Sequence, residues 1–589
     1  MTFFCDRPSI AAGNERLAVS TGGRFAQSIR GDRTLSSDAP VCTPGAVRIH
    51  PLAVAVAIAS GSLALIPATA LGDSNGLFEN ITVSATRRSA DVQDVPYNIS
   101  AYSGEALEEL RIEDLAQFAR WVPGLTLVDQ GQRAANLLTV RGLNASSIVA
   151  SEALGNNGGG TVATYVGDIP VYVDLRPLDI ERVEVLMGPQ GTLYGSGTLA
   201  GAVRYIPKRP STDAASLDLH ARGYTLAESD SPGYGADAAF NIPINDRLAF
   251  RGVVGYMKEA GFVDYNFIVG RDRAGKISPE DFAQLRRKKD ADDLEIMSAR
   301  ASLLWHVTDD VDAVFTYHYQ DKKSGGRTIN HVESFGTGKY EAAHRFLEPN
   351  ERQNQIFSLE VSADFELGPL GPVELVSATG YSMYRDDGQR DQTDLLLNFG
   401  YGYEDFPEFS AFTHDFSDED TFTQELRVVS AGDSRWNWIA GAFYSKFNID
   451  GTSREFTPGI PEFFGIAPPP LPTGDLEYQS VQKSSEEQVA VFGELGYRLT
   501  DNWQITGGMR WFDYRIKDRI QVKIPLVALT NTTNPEPISE NNVIFKFNTS
   551  YQLDDAIPGM DSGNLYFTFS QGYRTGGFNG VGECPDPLP

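Results

Sequence analysis

Cysteine is nearly absent from this chain of 589 residues: Cys5 and Cys42 lie near its start and Cys584 near its end, so no disulfide framework is available. Positive charge is also scarce. Lys and Arg number 50 against 78 Asp and Glu, a formal charge of −28, and such an excess of carboxylates excludes a nucleic-acid surface built on clustered cations. The seven histidines are scattered without ligand spacing, and the chain holds no H-E-x-x-H, no G-x-S-x-G and no complete phosphate-binding loop. No enzyme, metal centre or cofactor is expected.

Long apolar runs are missing too, with one exception. Mean hydropathy is −0.26, and only residues 51–70 (PLAVAVAIASGSLALIPATA) form a continuous apolar stretch. It follows Arg48 and His50 and ends on Ala68-Thr69-Ala70, an A-x-A pattern suited to signal peptidase, so residues 48–70 read as a secretory signal rather than a membrane anchor. A signal normally begins near the initiator Met. Residues 1–47 are therefore an extension of uncertain status, and the true start is expected downstream of Met1.

Glycine (57 residues) and aromatic side chains (11%) are plentiful, and they fall in a repeating arrangement. After residue 210, pairs of alternating runs of about ten residues are joined by short turns and separated by long polar stretches. Trp503, Ile505, Met509 and Trp511 share one face of such a run, opposite Gln504, Thr506, Arg510 and Phe512. Phe315, Tyr317 and Tyr319 oppose Thr316, His318 and Gln320 in another, and Leu248, Phe250, Val254 and Tyr256 oppose Ala249 and Arg251 in a third. Alternation alone also suits a soluble sandwich. The sorting of connections, short at 244–246, 307–310 and 431–434 but long at 258–294, 321–355, 385–419, 447–486 and 515–541, suits a membrane barrel with short periplasmic turns and long outer loops.

Thirteen runs are counted: 215–224, 234–243, 247–257, 295–306, 311–320, 356–366, 372–384, 420–430, 435–446, 487–498, 502–514, 542–553 and 563–573. The fold class expected is a transmembrane antiparallel β-barrel, incomplete with about 13 strands of a type that has about 22. An odd strand count leaves such a barrel open, so the chain is expected to be truncated at its C-terminal end.

Between signal and barrel lies a stretch of different texture, with short strands, a helix near 104–120 and Gly-rich turns. It contains Trp121-Val-Pro-Gly-Leu-Thr, Thr139-Val-Arg-Gly-Leu, Asp179-Ile-Glu-Arg-Val-Glu-Val-Leu, Gly188-Pro-Gln-Gly-Thr-Leu-Tyr-Gly and Ala200-Gly-Ala-Val-Arg-Tyr-Ile-Pro. In order and spacing these phrases resemble the plug of the TonB-dependent receptors, and Gln571-Gly-Tyr-Arg-Thr-Gly-Gly-Phe-Asn resembles a barrel strand and outer loop of that family. The resemblance divides the chain into a flexible segment at 71–86, an N-terminal α+β plug domain at 87–210 inside the barrel lumen and a partial barrel at 211–589.

The resemblance implies an energy-coupled importer of the cell outer membrane. Glu79-Asn-Ile-Thr-Val-Ser-Ala-Thr is similar to a TonB box, whose residues Ile81, Thr82, Val83, Ser84 and Ala85 would add as a strand to a TonB-type periplasmic partner; the plain alternative is a first strand of the plug. Arg141, Glu181, Arg182 and Glu184 are expected to link plug to wall as a releasable lock, and Gly188, Gly191, Gly195, Gly197 and Gly201 to form its tight turns. About ten residues between the cleavage site and Ile81 leave no room for a signalling domain, so transport alone is expected.

The partners expected are outer-membrane lipid, a TonB-type protein and a small ligand, by family habit a ferric siderophore. Asn156 in an apical plug loop, Arg327, His331, His344 and Arg345 in one outer loop, and Tyr401 and Tyr403 in another would meet an anionic iron chelate. Asp415, Asp418, Glu419 and Asp420 read as an acidic outer loop, solvated or holding a divalent cation. Alternatives are a non-iron ligand such as a carbohydrate or cobalamin, or an incomplete, non-functional fragment. A passive porin is disfavoured by the plug, which would block diffusion.

Overall fold

A computed structural model describes residues 81–112, 114–128, 131, 137–143, 160–171, 175–269, 286–330, 338–393, 410–457, 476–525, 528–553 and 563–577. The leader at 48–70, its preceding extension, all three cysteines, Asn156, His331, Tyr401 and Tyr403 lie outside them.

The N-terminal part is a small α+β domain. Its strands are β1 Thr82–Val83, β2 Ala90–Asp91, β3 Ile99–Ser103, β4 Leu125–Val128, β5 Leu137–Val140, β6 Val162–Val166, β7 Ile169–Val171, β8 Ile180–Met187 and β9 Gly201–Pro207. Helices α1 Gly104–Glu109, α2 Leu115–Ala119 and α3 Gly191–Tyr194 lie between them. Five strands form one sheet in the order β3-β8-β9-β6-β7, and β1 pairs with β2. The Ser103 hydroxyl caps α1 by accepting from the Ala106 amide at 3.2 Å, and the Asp114 carboxylate caps α2 through the Gln117 amide at 2.6 Å. Leu107, Leu115, Phe118, Val183, Val185 and Val203 close the core between helices and sheet.

The remainder is a large antiparallel meander. Its strands, with the small ones of the loops, are β10 Ser216–Tyr224, β11 Gly233–Asn245, β12 Leu248–Glu259, β13 Asp264–Ile268, β14 Arg286–Lys288, β15 Leu294–His306, β16 Val311–Ser324, β17 Glu341–Ala342 and β18 Asn350–Glu366. There follow β19 Pro372–Asp391, β20 Phe412–Ser430, β21 Trp436–Phe456, β22 Leu476–Arg498, β23 Trp503–Ile524, β24 Leu529–Thr533, β25 Ile538–Gln552 and β26 Asn564–Ser570. Thirteen of these pair with their sequence neighbours from β10 to β26, with β24 beside β23; β14-β13-β17 is a separate sheet in the long connections.

Solvent preference is inverted across this wall. Leu219 is 68% exposed and Phe567 61%, whereas Arg510, on the opposite face of β23 from Trp503, Met509 and Trp511, is 1% exposed. No water-soluble sheet turns its large apolar side chains outward and its guanidinium inward; a wall between lipid and a polar lumen does. The two domains meet in that lumen, where plug residues bond to inward-facing wall residues such as Arg251, Arg300, Glu425 and Arg427.

At the short-turn end the strand limits match the alternating runs to within about two residues. At the other end β10 to β15 also match and β26 stops early at Ser570, but the strands from β16 to β25 run further. β23 is 22 residues long where eleven to thirteen alternate visibly, and β22 begins at Leu476 rather than 487. An apolar band about 25 Å tall needs only roughly ten tilted residues, and above it the outward positions turn polar, as at Asp513, Arg515 and Lys517 beside inward Tyr514 and Ile516, so the pattern changes phase and no longer marks a lipid-facing strand. The acidic group 415–420 is accordingly strand β20 and not a loop: Asp415 and Glu419 face inward with Glu425, while Asp418 and Asp420 face outward with Phe422.

Candidate plug–wall seat

The segment after Ile81 is held at three successive points. β1 and β2 share two residue pairs, Thr82 with Asp91 and Val83 with Ala90, and Val83 is fully buried. Ser84 then donates its amide to Glu184 Oε1 at 2.8 Å, and the Tyr194 hydroxyl donates to the Ala85 carbonyl at 2.6 Å. Arg87, at φ 60°, turns into the barrel. It pairs with Asp168 of the plug and, at 3.3 Å, with Glu425 of β20. Arg88 donates to two wall carbonyls, Ser430 at 3.2 Å and Trp438 at 2.5 Å.

Asp168 sits in the two-residue turn between β6 and β7 and is the meeting point of three guanidinium groups. Arg427 of β20 reaches it at 2.5 Å, Arg204 of β9 at 3.0 Å, and Arg87 closes the set. Burial alone would raise the Asp168 pKa, but Arg427, Arg87 and Arg204 together outweigh it and hold the carboxyl well below its usual range. Burial likewise works against the charge of Arg87, and Glu425 and Asp168 outweigh it, so its pKa is raised. The alternating charges keep each group ionised out of water.

A second anchor lies on Asp179, whose carboxylate accepts from Arg251 Nε at 2.7 Å and pairs with Arg300, both on inward faces of the wall. A third joins Thr192 and Lys546 to Glu494 at 3.2 and 2.6 Å, and Asn548 to the Pro96 carbonyl at 3.0 Å.

The family phrase at 571–577 does not form an outer loop. It leaves β26 and lies against the plug's glycine turn, where Gly191 and Gly197 donate amides to the carbonyls of Gln571 and Tyr573 at 3.2 and 3.0 Å. Gly191 must lack a side chain here, because a Cβ would stand 2.6 Å from the Gln571 carbonyl oxygen. Gly195 combines φ 80° with a close approach to Arg510, a conformation and a space that only glycine accommodates without strain. Gly188 has φ 100°, and a Cβ on Gly201 would collide with the Leu186 carbonyl.

Two matches to known families decide what this assembly is. Residues 91–202 match the TonB-dependent receptor plug domain, and residues 300–583 match the TonB-dependent receptor-like β-barrel. The chain belongs to the TonB-dependent receptors. It is thus an outer-membrane protein of a family of transport receptors, not enzymes. Among curated relatives, the iron-regulated outer membrane virulence protein of Vibrio cholerae is 27% identical over 209 residues, 35% of this chain and 31% of that protein. The pesticin receptor of Yersinia pestis is 27% identical over 214 residues, 35% of this chain and 28% of the other. The matched stretch thus spans about a third of either relative's length. Among solved structures, the ferric yersiniabactin uptake receptor of Yersinia pestis shares the fold with a TM-score of 0.63 at 16% identity, over 83% of this chain and 66% of that one.

Against this receptor frame several expectations change. Ile81 to Ala85 do not hang free: they are seated in the plug, because the β-forming residues that would suit a partner's sheet edge find the edge of β2 first. Arg141, Glu181, Arg182 and Glu184 make no direct ion pair with the wall among the described residues. Arg141 is exposed on the plug, and Glu184, fully buried, binds Arg182 at 2.8 Å, Arg204 at 2.7 Å and Ser84. These charges organise the plug from within, with Arg204 among them, and Asp168, Asp179 and Arg87 bridge outward instead, to Arg427, to Arg251 and Arg300, and to Glu425. Arg327 also turns out to be internal. Only 5% exposed, it holds Glu348 at 2.7 Å and the Asp391 carbonyl at 3.0 Å, while His344 and Arg345 are each 1% exposed in the same outer-loop core. All three side chains are buried within the loops' own fold rather than presented on an open surface.

One signal in the sequence marks Asp168: it is the single charged residue between Gly160 and Val173, and a lone charge in an apolar run demands a buried partner.

Proposed function

We propose that this chain forms the plug and wall of an energy-coupled importer, opened by a TonB-type partner that pulls on the N-terminal segment. The observation that carries the reading is the strap from Thr82 to Arg88, which ties plug core and wall together within seven residues. Traction on it would unpair β1 from β2, draw Ser84 off Glu184 and withdraw Arg87 from between Asp168 and Glu425. Strand addition at 79–86 then becomes available only as β1 leaves its seat. Deleting residues 79–86 tests this: ligand uptake should cease while surface binding persists, and undiminished uptake would overturn it.

The ligand class favoured is a ferric siderophore, supported by relatives whose names record iron regulation and by a solved neighbour named for ferric yersiniabactin uptake. A neutral ligand has its own support. Asp415 and Glu419 line the inner wall above the plug beside Asp386, whose charge Arg352 answers at 2.9 Å, and the two remaining carboxylates disfavour a strongly anionic chelate. A vitamin B12 transporter of Vibrio vulnificus is also a relative, at 27% identity over 143 residues, 24% of this chain and 22% of that protein. Binding assays against ferric siderophores, cobalamin and oligosaccharides separate the two readings.

A further inference from the structure

Helix α3 is a single turn, and it is gripped from two sides. On one side Gly191 donates its amide to the Gln571 carbonyl at 3.2 Å, and Gly197, just beyond the helix, donates to the Tyr573 carbonyl at 3.0 Å. Among the described residues these are the only backbone-to-backbone hydrogen bonds between the plug and the chain after residue 210. On the other side the Tyr194 hydroxyl donates to the Ala85 carbonyl at 2.6 Å, and the Arg87 guanidinium lies 4.6 Å from the centre of the Tyr194 ring, so one side chain touches the strap twice. The 571–577 segment is in turn fastened to the wall. Tyr573, 9% exposed, stacks on Phe512 of β23 with ring centres 3.8 Å apart, its hydroxyl accepts from Gln488 of β22 at 2.9 Å, and the Gly576 amide donates to the Tyr514 hydroxyl at 3.3 Å. The segment climbs from Ser570, paired with Lys546, to Gly576 beside Tyr514, toward the end of the long connections. The strap lies at the other end, where Arg88 meets Ser430 and Trp438.

We propose that Tyr573 is a positioning residue for the strap: fixed on β22 and β23, it holds α3 where Tyr194 keeps Ala85 seated, so that drawing the 571–577 segment away loosens the strap. The proposal rests on the reading of residues 82–88 as the segment a partner pulls, and it makes the strap's hold depend on the opposite half of the barrel. One turn of helix does not hold its own place. Its internal hydrogen bonds, Tyr194 to Gln190 and Gly195 to Gly191 at 3.0 Å each, fix a shape and no position, and a lone turn is unstable in isolation. Where α3 sits is decided by its grips. Of these, Thr192 on Glu494 is a single side-chain bond at 3.2 Å, whereas the 571–577 segment supplies two backbone bonds and close packing: a Cβ on Gly572 would stand 2.8 Å from the Thr198 carbonyl oxygen. A shift of the segment is therefore passed to the turn, and a displacement of about 1 Å is enough to break a hydrogen bond such as that from Tyr194 to Ala85.

The test is amide hydrogen exchange in the full chain, folded in detergent micelles without ligand or partner. Tyr573→Ala should quicken exchange about tenfold at Ser84 and Arg87, the strap amides bonded to Glu184 and to the Ser84 carbonyl, while Phe118 in the plug core and the strands β20 and β21 stay unchanged. Tyr194→Phe, which removes only the hydroxyl, should do the same. Adding Tyr573→Ala to it should change strap exchange by less than about threefold, because the link is already cut. Should Tyr573→Ala lack the heat-dependent gel migration of a folded barrel, Gly572→Ala displaces the segment through its Cβ and carries the same expectation. Quickening at Gly191 and Gly197 with Ser84 and Arg87 unmoved would overturn the proposal, as would equal quickening at Phe118 or full additivity of the two substitutions. No uptake enters this readout, so its outcome is separate from that of deleting residues 79–86: undiminished uptake there removes the importer reading and leaves the link standing.

Discussion

Replacing Arg87 by Ala is the sharpest test of the plug–wall seat. The side chain is 1% exposed, and its removal leaves Asp168 with Arg204 and Arg427 but strips Glu425 of one of its two guanidinium partners. Breaking a buried pair from one side costs about 3–5 kcal/mol, and the surviving partners reduce that here to roughly 3 kcal/mol. The loss falls on local opening of the strap rather than on the barrel, whose backbone ladder does not involve Arg87. At about 1.4 kcal/mol per tenfold, hydrogen exchange at Val83, Ser84 and Ala90 should quicken on the order of 100-fold while the exchange of β20 and β21 stays unchanged. Asp168→Asn should act similarly, and the double variant should show less than the sum, since both changes break one network. Exchange at the strap that stays within threefold of wild type in Arg87→Ala would refute the seat as its anchor.

Acid offers a second route to the same network. Because the Asp168 pKa lies below its ordinary value of 3.8, the stability it contributes is complete above about pH 4 to 5 and lost only as pH falls through the depressed value. Strap protection, corrected for intrinsic exchange, should therefore stay flat from pH 7 to pH 5, and a midpoint near pH 6 would contradict it. On the outward face of β23, Met509→Arg in the belt should destabilise refolding into vesicles by about 2–4 kcal/mol, whereas Gln521→Arg, above the belt, should change it by less than about 1 kcal/mol. In the outer loops, Arg327→Ala leaves Glu348 and Tyr265 sharing a buried site without their cation, so external protease should cut the 260–293 and 325–349 connections at least tenfold faster in a barrel whose gel migration is unchanged.

Much of the wall was legible because lipid on one side and a polar lumen on the other impose a period of two on side-chain character. Trp503, Met509 and Trp511 announced their face in this way. The legibility ended with the lipid. Above Trp511 the outward residues become Arg515, Lys517 and Arg519 while the inward ones include Tyr514 and Ile516, so the pattern reverses and the strand no longer reads as lipid-facing. The seat was harder for another reason. Lumen positions read only as polar, and which plug charge meets which wall charge depends on the register of β20 and on where the β6–β7 turn stops inside the barrel. Neither is local in sequence. Arg182 and Glu184 were expected at the wall through the family resemblance, yet opposite charges so close together satisfy one another, as these do. Asp168, isolated among apolar residues, is the charge obliged to look elsewhere.

The order of attachments along the strap has a mechanical consequence. β1, Ser84, Arg87 and Arg88 grip different bodies at successive positions, so a force entering from the N-terminal side loads them one after another, as adhesive tape is peeled. A load shared by all four at once, as in shear along a long strand, would require every bond to fail together. Peeling lets an interface that is strong in aggregate be undone by a modest steady force, and lets it close again from the Arg88 end when the force is released.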